Sequence, residues 1–264
     1  MAARQLVISV LGPFELSVDD RPLPMSGKRL RALLTSLALS AQRVVPIMTL
    51  TELVWDEQPP IRPRASLQSL VNRLRACIDS TVIRTEPHGY LLDVDPLSVD
   101  AVRFQSLVME AKTAGRSLER PMLDEALALW RGEPLVDTGS LRLRNEAGPG
   151  LAEKYLAAFE RRVDLDLEEG NYATIVADLQ DMIARFPHRE PLWVRLITAL
   201  DLTGRPAEAL KAYDYVRGRL ADELGCDPSG ELQSVYRRIL QAERVRQYAP
   251  ELLRNSQPNG DRIR

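Results

Sequence analysis

The sequence predicts a mainly α-helical protein with a small β component, in which strands and helices alternate first and helices alone follow. Short strand-like runs occur only in about the first ninety-five of the 264 residues, and three amphipathic helical patterns lie among them. From about Ser98 onward only helical patterns continue. Asp100 is the expected cap of the first of them, and further helices are expected over about Pro121–Trp130 and Gly150–Glu169, with an irregular connection over residues 132–150. We therefore expect two domains, residues 1–96 and 97–246, followed by a disordered tail over residues 247–264.

Composition and charge are those of an ordinary soluble globular protein. Hydrophobic residues make up 45% and charged residues 27% of the chain, and the formal net charge is −2. No run approaches the roughly 20 apolar residues of a membrane span, and the N-terminus lacks the apolar segment of a signal peptide. We expect a cytoplasmic protein without a membrane partner.

No motif for catalysis or metal binding is present in the sequence. There is no GxSxG, HExxH or GxGxxG pattern and no Walker loop. Cys77 and Cys226 lie outside any CxxC spacing, and the only histidines are His88 and His188. We expect no catalytic residues, no metal site, no disulfide and no cofactor, and hence a protein that is not an enzyme.

The first region begins with strands that predict an antiparallel sheet. Leu6–Leu11 and Phe14–Val18 are short apolar runs separated by Gly12-Pro13, and turn-forming residues follow at 19–22. A second pair of strand-like runs lies within Val82–Val94. The two strand pairs therefore enclose the helical patterns.

Three amphipathic helices are predicted over about Lys28–Leu39, from Thr49 to before Pro59-Pro60, and over Pro63–Asp79. Ser26 is the expected cap of the first, and Thr49-Leu-Thr-Glu52 has the form of a capping box for the second. Their apolar stripes comprise Leu30, Leu33, Leu34 and Leu37, then Leu50, Leu53 and Val54, then Leu67, Leu70, Val71, Leu74 and Ile78.

The polar face of the third helix indicates recognition of DNA bases. Gln, Asn and Arg form bidentate hydrogen bonds with base edges in the major groove, and small side chains beside them let a helix approach closely. We expect base contacts from Gln68, Ser69, Asn72 and Arg73. A solvated amphipathic helix would show the same polarity, so the neighbouring elements must decide between the two interpretations.

The order of elements favours the DNA-binding interpretation. A strand cluster, three helices and a closing hairpin around Glu86-Pro-His-Gly89 follow one another as in a winged helix-turn-helix. Such a hairpin reaches the DNA backbone or the minor groove. The expected contacts of the backbone and the wing come from Arg64, Arg75, Arg84, Thr85 and His88.

The second region contains a repeat with the tetratricopeptide period of 34 residues. The related pairs are Gly170 and Gly204, Phe159 and Trp193, Val163 and Ile197, Leu179 and Tyr213, and Met182 and Val216. Stacked helical hairpins of this kind bind other proteins and seldom carry out chemistry. We expect the aromatic residues of this region to pack in a core.

Several motifs carry a resemblance to known families. Asn72-Arg-Leu-Arg75 with His88-Gly89-Tyr90 resembles the recognition helix and wing of OmpR-type effector domains. The whole chain from about Leu6 to Leu240 is similar to the Streptomyces antibiotic regulatory protein family, which joins such a winged helix to an all-α, tetratricopeptide-like bacterial transcriptional activator domain. The matching motifs are Val10-Leu-Gly-Pro13, Lys28–Leu34, Leu53-Val-Trp55 before Pro59-Pro60, Ala126–Gly132 with Pro134-Leu135, and Asp227-Pro228.

The resemblance implies a sequence-specific activator of transcription that controls a secondary-metabolite, typically antibiotic, gene cluster. It further implies binding to direct repeats in double-stranded DNA near the promoter, with two protomers on the DNA. The RNA polymerase holoenzyme, with its sigma factor and other subunits, is the implied protein partner. Lys28, Arg29 and Arg31 are candidates for contact with polymerase or DNA, although a solvated basic turn explains them equally well.

The chain departs from the wider family in two ways, which narrow the expected subtype and the expected mode of regulation. The long members continue into an ATPase and further repeats, so this chain resembles the small type. No phosphoacceptor receiver domain precedes the winged helix, which argues against control by phosphorylation in the response-regulator manner. Two alternatives stay open: an adaptor that uses the winged helix to bind protein, and a repressor that makes the same DNA contacts.

Overall fold

The computed structural model describes residues 5–254, and the side chains of residues 5–245. Contacts divide the chain into two compact units, residues 1–159 and residues 160–264. This division lies well beyond the expected domain boundary between residues 96 and 97, and the boundaries 1–96 and 97–246 stay a prediction.

The described part of the first unit opens with strands and helices in alternation. The elements are β1 (Leu6–Ser9), β2 (Glu15–Val18), β3 (Arg21–Pro22), α1 (Lys28–Ala38), β4 (Val45–Pro46), α2 (Ile47–Trp55), α3 (Pro63–Cys77), β5 (Ile83–Glu86) and β6 (Gly89–Leu92). A 3-10 turn at Pro96–Ser98 then leads to α4 (Asp100–Ala111), α5 (Arg116–Ala128) and α6 (Leu141–Glu169). The last ten residues of α6 belong to the second unit.

Two antiparallel three-stranded sheets frame the three helices of the winged helix. One has the order β1-β2-β3, and the other has the order β4-β6-β5, so that β6 lies at its centre. The sequence did not predict β3 and β4, because strands of two residues are too short to show an alternating pattern. β4 matters for the site because Val45 pairs with Tyr90 and Pro46 pairs with Gly89 of the hairpin.

The apolar stripes of α1, α2 and α3 form the core of this region, as predicted. Every residue of the three predicted stripes is buried except Leu53, which is half-buried. At about 25 cal/mol per Å² of apolar surface, burial of such stripes is the dominant favourable term for these helices. This packing leaves the opposite face of α3 at the surface.

The predicted helix caps of α1 and α2 were wrong. Gly27, rather than Ser26, precedes α1, and no side chain caps the helix. α2 begins at Ile47 immediately after β4, two residues before the expected capping box. The amide of Ile47 donates to the carbonyl of His88 at 3.0 Å, so the hairpin satisfies one of the free amides at the start of this helix.

Asp100 has a different role from the predicted cap of α4. The helix follows Val99, and the Asp100 carboxylate accepts the amide hydrogens of Val10, at 2.8 and 2.9 Å, and of Leu11, at 2.9 Å. Burial raises the pKa of Asp100 above its ordinary value, although these amides and Arg131 favour the charged form. The carboxylate therefore holds α4 against the chain that follows β1.

The two motifs 10–13 and 131–135 contact each other. The amide of Arg131 donates to the carbonyl of Leu11 at 2.7 Å, and the amide of Leu135 donates to that of Val10 at 2.9 Å. Gly12 has φ +144°, and a Cβ there would lie 3.0 Å from the backbone of Arg131. This contact explains why the segment after residue 97 belongs to the same compact unit as the strands.

Both later helices of this unit differ from their predicted bounds. α5 spans Arg116–Ala128 instead of about Pro121–Trp130, and it contains Pro121. α6 begins at Leu141, nine residues before the expected start at Gly150, and runs through Pro149. The predicted irregular segment 132–150 is correspondingly shorter. Tertiary caps at the start of α6, described below, supply the stabilisation that the local Gly-Pro-Gly sequence lacks.

The second unit continues with helices alone through the described residues. After the end of α6 come α7 (Tyr172–Arg185), α8 (Glu190–Leu202), α9 (Pro206–Arg219) with a π-helical turn at Leu220–Leu224, and α10 (Gly230–Arg254). α8 packs against α7, α9 and α10. α10 continues over residues 247–254, which were assigned to a disordered tail; residues 255–264 of that tail lie outside the described part of the chain.

The 34-residue repeat corresponds to equivalent structural positions. Gly170 and Gly204 each follow a helix with positive φ, +85° and +75°, the conformation that favours glycine at helix C-termini. The eight residues of the other four pairs are all buried. Both residues of each of these four pairs are therefore core residues, as the predicted repeat requires.

None of the helices within residues 5–254 is long and apolar enough to cross a membrane. In the same part of the chain, no cluster of three or more His, Cys, Asp or Glu side chains is arranged to hold a metal ion.

Candidate nucleic-acid interface

The exposed face of α3 carries the four side chains expected to read bases. Gln68, Ser69, Asn72 and Arg73 are all exposed, while the apolar stripe on the other side of the helix is buried. The side chains of Gln68, Asn72 and Arg73 form no hydrogen bond or ion pair with any other described residue. Their polar groups are therefore available to a ligand.

The charge of α3 is entirely positive. The helix contains Arg64, Arg73 and Arg75, and its 15 residues include no acidic side chain. The chain has a net charge of −2 overall, so α3 is a local basic surface on a nearly neutral protein. Such a local concentration of arginine is the electrostatic feature that phosphate groups require.

A basic groove, lined by Lys28, Arg29, Trp55, Arg62 and Arg73 among others, lies between the start of α1 and the N-terminal half of α3. Its volume is about 760 Å³, and no acidic residue lines it. The guanidinium of Arg29 lies 5.7 Å from the ring centroid of Trp55, a cation–π distance that orients the cation. The groove therefore extends the positive surface of α3.

Two lining residues of the basic groove, Trp55 and Arg62, were not among the predicted site residues. Arg62 stands directly before Pro63, and an arginine next to the start of the predicted recognition helix is a signal that sequence reasoning could have used. Arg31 differs from its neighbours: it is half-buried and does not line the groove. Lys28 and Arg29 are exposed beside α3, so they are better placed than Arg31 for the predicted contacts.

Arg75 connects α3 to the hairpin. Its guanidinium donates to the carbonyl of Ile83 through Nε at 3.2 Å and through Nη2 at 2.8 Å, and Nη2 also donates to Thr85 Oγ1 at 2.8 Å. The side chain is half-buried. Both Arg75 and Thr85 therefore have partners within the chain, whereas the sequence suggested contacts with the DNA backbone.

Arg84 projects from the hairpin and forms an ion pair with Asp93, and its side chain is 61% exposed. Asp93 also accepts a hydrogen bond from Gln42 Nε2 at 2.9 Å. An exposed ion pair of this kind contributes about 0–1 kcal/mol to stability. Arg84 can therefore exchange its carboxylate partner for a phosphate at small cost.

The turn of the hairpin explains the motif His88-Gly89-Tyr90. His88 is exposed at the tip, whereas Tyr90 is buried. A Cβ on Gly89 would lie 2.0 Å from the carbonyl oxygen of Val45, because β4 approaches the hairpin backbone closely at this residue. Glycine is therefore required at position 89, because β4 and the hairpin strand β6 approach each other closely there. This close pairing holds the exposed tip of the hairpin beside α2.

The structure divides the predicted site residues into separate groups. Four are together on the face of α3, and Lys28 and Arg29 join Arg73 along the basic groove. Arg64 is exposed on the first turn of α3, and His88 is exposed at the hairpin tip.

Comparisons with known proteins agree with this architecture. The family model described as "Bacterial transcriptional activator domain" matches residues 99–240. Regulatory protein DnrI of Streptomyces peucetius is 34% identical over 255 residues, covering 89% of this chain and 92% of that protein. This chain belongs to the Streptomyces antibiotic regulatory protein family.

Other relatives extend the match to longer members of the family. Transcriptional regulator RedD of Streptomyces coelicolor is 31% identical over 90% of this chain and 71% of its own length. A solved structure of Mycobacterium tuberculosis EmbR, in complex with a low-affinity phosphopeptide, matches with a TM-score of 0.82 and 31% identity, covering 91% of this chain and 66% of that one. The predicted fold class is thereby confirmed, and the named relatives are regulators of transcription.

Proposed function

We propose that this protein binds promoter DNA in a sequence-specific manner through α3 and activates transcription of a secondary-metabolite gene cluster. The observation that carries the proposal is the face of α3 described above. Gln68, Asn72 and Arg73 are exposed and without partners in the described structure, and they are the residue types that bind base edges bidentately. An adaptor surface that binds protein would be more apolar at its centre, with aromatic side chains there.

Contacts with phosphates would come from the residues around this face. Lys28, Arg29 and Arg62 line the basic groove beside α3, and Arg84 is exposed on the hairpin. Phosphate contacts position a protein on the duplex and supply most of its salt-dependent affinity, while base contacts supply specificity. The proposed interface therefore has two parts. We call the base-reading side chains of Gln68, Asn72 and Arg73 the reading centre. The basic side chains around them, Lys28, Arg29, Arg62 and Arg84, form the basic margin.

The family supplies the remaining parts of the proposal. Membership of the family implies activation of an antibiotic gene cluster from direct repeats near the promoter, so we propose two protomers arranged head to tail on the DNA. Successive protomers in such an arrangement use different surfaces toward each other. We further propose that the bound protein recruits RNA polymerase holoenzyme, through the sigma factor and other subunits.

A binding titration tests the proposal directly. Promoter fragments from the protein's own genomic neighbourhood are titrated against random duplex DNA at several salt concentrations. We expect preference for a promoter fragment in the wild type and loss of that preference in the double variant Asn72→Ala/Arg73→Ala. Arg217→Ala, which removes an exposed arginine from α9, is the matched control and should bind as the wild type does.

Weak binding that is equal on every sequence and insensitive to the double variant would contradict the proposal and favour the adaptor. Run-off transcription with the bound promoter then distinguishes an activator from a repressor. Increased transcript on addition of the protein supports activation, whereas decreased transcript would show that the same contacts serve repression.

A further inference from the structure

The start of α6 receives its helix caps from two places in the chain. Ser140 Oγ accepts the amide hydrogen of Leu143 at 3.0 Å, as a local cap does. The carboxylate of Asp56 accepts the amide hydrogens of Leu141, at 3.3 Å, and Arg142, at 3.0 Å, and the hydroxyl of Ser140 at 2.8 Å. A residue 85 positions away therefore satisfies two of the orphan amides of this helix.

Asp56 is also the first residue of the segment that leads to the recognition helix. It follows the last residue of α2, Trp55, and the chain reaches α3 at Pro63 after a short loop containing Pro59 and Pro60. Its φ of +50° is unusual for a residue other than glycine. Partial burial acts to raise the pKa of Asp56, but the amide and hydroxyl donors lower it overall, consistent with a charged cap.

Two more contacts connect the start of α6 to the winged helix. Arg142 forms an ion pair with Glu52 of α2 at 3.2 Å. The backbone at Gly139, with φ +85°, lies so close to α1 that a Cβ there would be 2.5 Å from the Cβ of Lys28. The start of α6 thus contacts the end of α2 and the beginning of α1.

These contacts bear directly on the basic groove. Lys28, Arg29 and Trp55 form one wall of the groove, and α3 forms the other. Lys28 lies against Gly139, and Trp55 is adjacent in sequence to Asp56. The wall that faces α3 is therefore held from behind by the start of α6.

We propose that Asp56 is a positioning residue for DNA binding: by capping α6, its carboxylate fixes the groove wall of Lys28, Arg29 and Trp55 relative to α3. The inference rests on the proposed function, and it adds a residue that contributes to affinity without touching DNA. The inference also predicts a change in DNA affinity opposite in direction to the one expected from charge alone. Removing an acidic side chain near a DNA-binding groove should strengthen binding if charge alone matters, whereas loss of the cap should weaken it.

Three variants separate these effects. Asp56→Gly keeps the positive φ and removes both acceptor oxygens, so we expect promoter affinity to fall about fivefold to tenfold with an unchanged salt slope. Asp56→Asn keeps an acceptor oxygen but not the charge, and it should bind within about twofold of the wild type. Glu57→Gln removes an exposed carboxylate from the same loop and is the control for charge; it should bind as the wild type does or slightly more tightly.

Binding by Asp56→Gly that equals or exceeds that of the wild type would overturn the inference. Circular dichroism and thermal unfolding show whether this variant is folded. If it is not, Ser140→Ala takes its place, because it removes one of the three donors to Asp56 and should weaken binding about twofold to threefold.

Hydrogen exchange on the free protein tests the positioning step without DNA. Asp56→Gly should exchange faster than Glu57→Gln at the amides of Leu141 and Arg142 and in the segments 28–31 and 56–62. Unchanged exchange in those two segments would overturn the inference even if DNA affinity fell. If the wild type does not prefer a promoter fragment, the proposed function fails, while the exchange result still decides whether Asp56 holds the groove wall.

Discussion

The exposed face of α3 and the connection between α3 and the hairpin that follows it use arginine in different ways. On α3, Gln68, Asn72 and Arg73 have no partner within the described residues. On the hairpin side, Arg75 is bonded to Ile83 and Thr85, and Arg84 is paired with Asp93. Both surfaces are rich in arginine, so charge alone does not distinguish them.

In the proposed DNA-binding function, this difference would give the two surfaces separate physical tasks. Side chains without partners lose no internal bond when they contact a base, so their whole interaction with DNA is available for discrimination. Side chains with internal partners stabilise the connection between α3 and the hairpin, and they reach a phosphate only by exchange. We therefore expect substitutions of the α3 side chains without partners to change specificity, and those of Arg75 and Arg84 to change stability or the general affinity for DNA.

The largest effect should come from Gly89→Ala, which tests whether the hairpin is held in place by the close approach of β4. The new Cβ would lie 2.0 Å from the carbonyl oxygen of Val45, so the strands must separate. We expect the free energy of unfolding to fall by about 3 kcal/mol, measured by urea titration. Gly218→Ala is the control, because nothing lies within 4 Å of a Cβ there, and a similar loss in both variants would refute the explanation.

The next effect concerns the reading face. Arg73→Ala should weaken binding to the promoter fragment by about 1–3 kcal/mol and relax the preference at one base pair, with little change in unfolding free energy. Competition titrations with single-base variants of the fragment measure this. A uniform loss on every sequence would instead assign Arg73 to the phosphates, together with Lys28 and Arg29 of the basic groove.

Arg75→Ala should act mainly on stability. The substitution leaves the carbonyl of Ile83 without its donor and removes the bond to Thr85, so we expect a loss of about 1–2 kcal/mol in unfolding free energy. Arg75→Lys should not restore it fully, because an ammonium group lacks the planar fork that binds both partners. If Arg75→Ala left stability unchanged but reduced DNA affinity, the comparison drawn above would fail for this residue.

The smallest change in stability should follow Arg84→Ala, since its ion pair with Asp93 is exposed. We expect less than about 0.5 kcal/mol in unfolding free energy. Binding to promoter and random DNA should weaken alike, and the slope of log affinity against log salt should decrease by about one. A sequence-dependent loss would move Arg84 from the basic margin to the reading centre.

Local periodicity was enough to predict much of this protein from its sequence. The apolar stripes of α1 and α3 placed these helices within about two residues of their ends, because each stripe depends only on neighbouring residues along the chain. The same stripe determined which face of α3 stays exposed, and hence the choice of Gln68, Asn72 and Arg73. The 34-residue repeat, which is again a regularity of the chain itself, likewise predicted equivalent core positions in the second unit.

Tertiary structure decided those features that depend on partners distant in sequence. Asp100, the expected cap of its own helix, holds Val10 and Leu11, and Asp56, to which the sequence analysis assigned no role, caps α6. Arg75 looked like a phosphate contact, yet it bonds to the hairpin. A carboxylate or guanidinium carries no mark in the sequence of which donor or acceptor it will meet, because that choice is made when separate elements pack together.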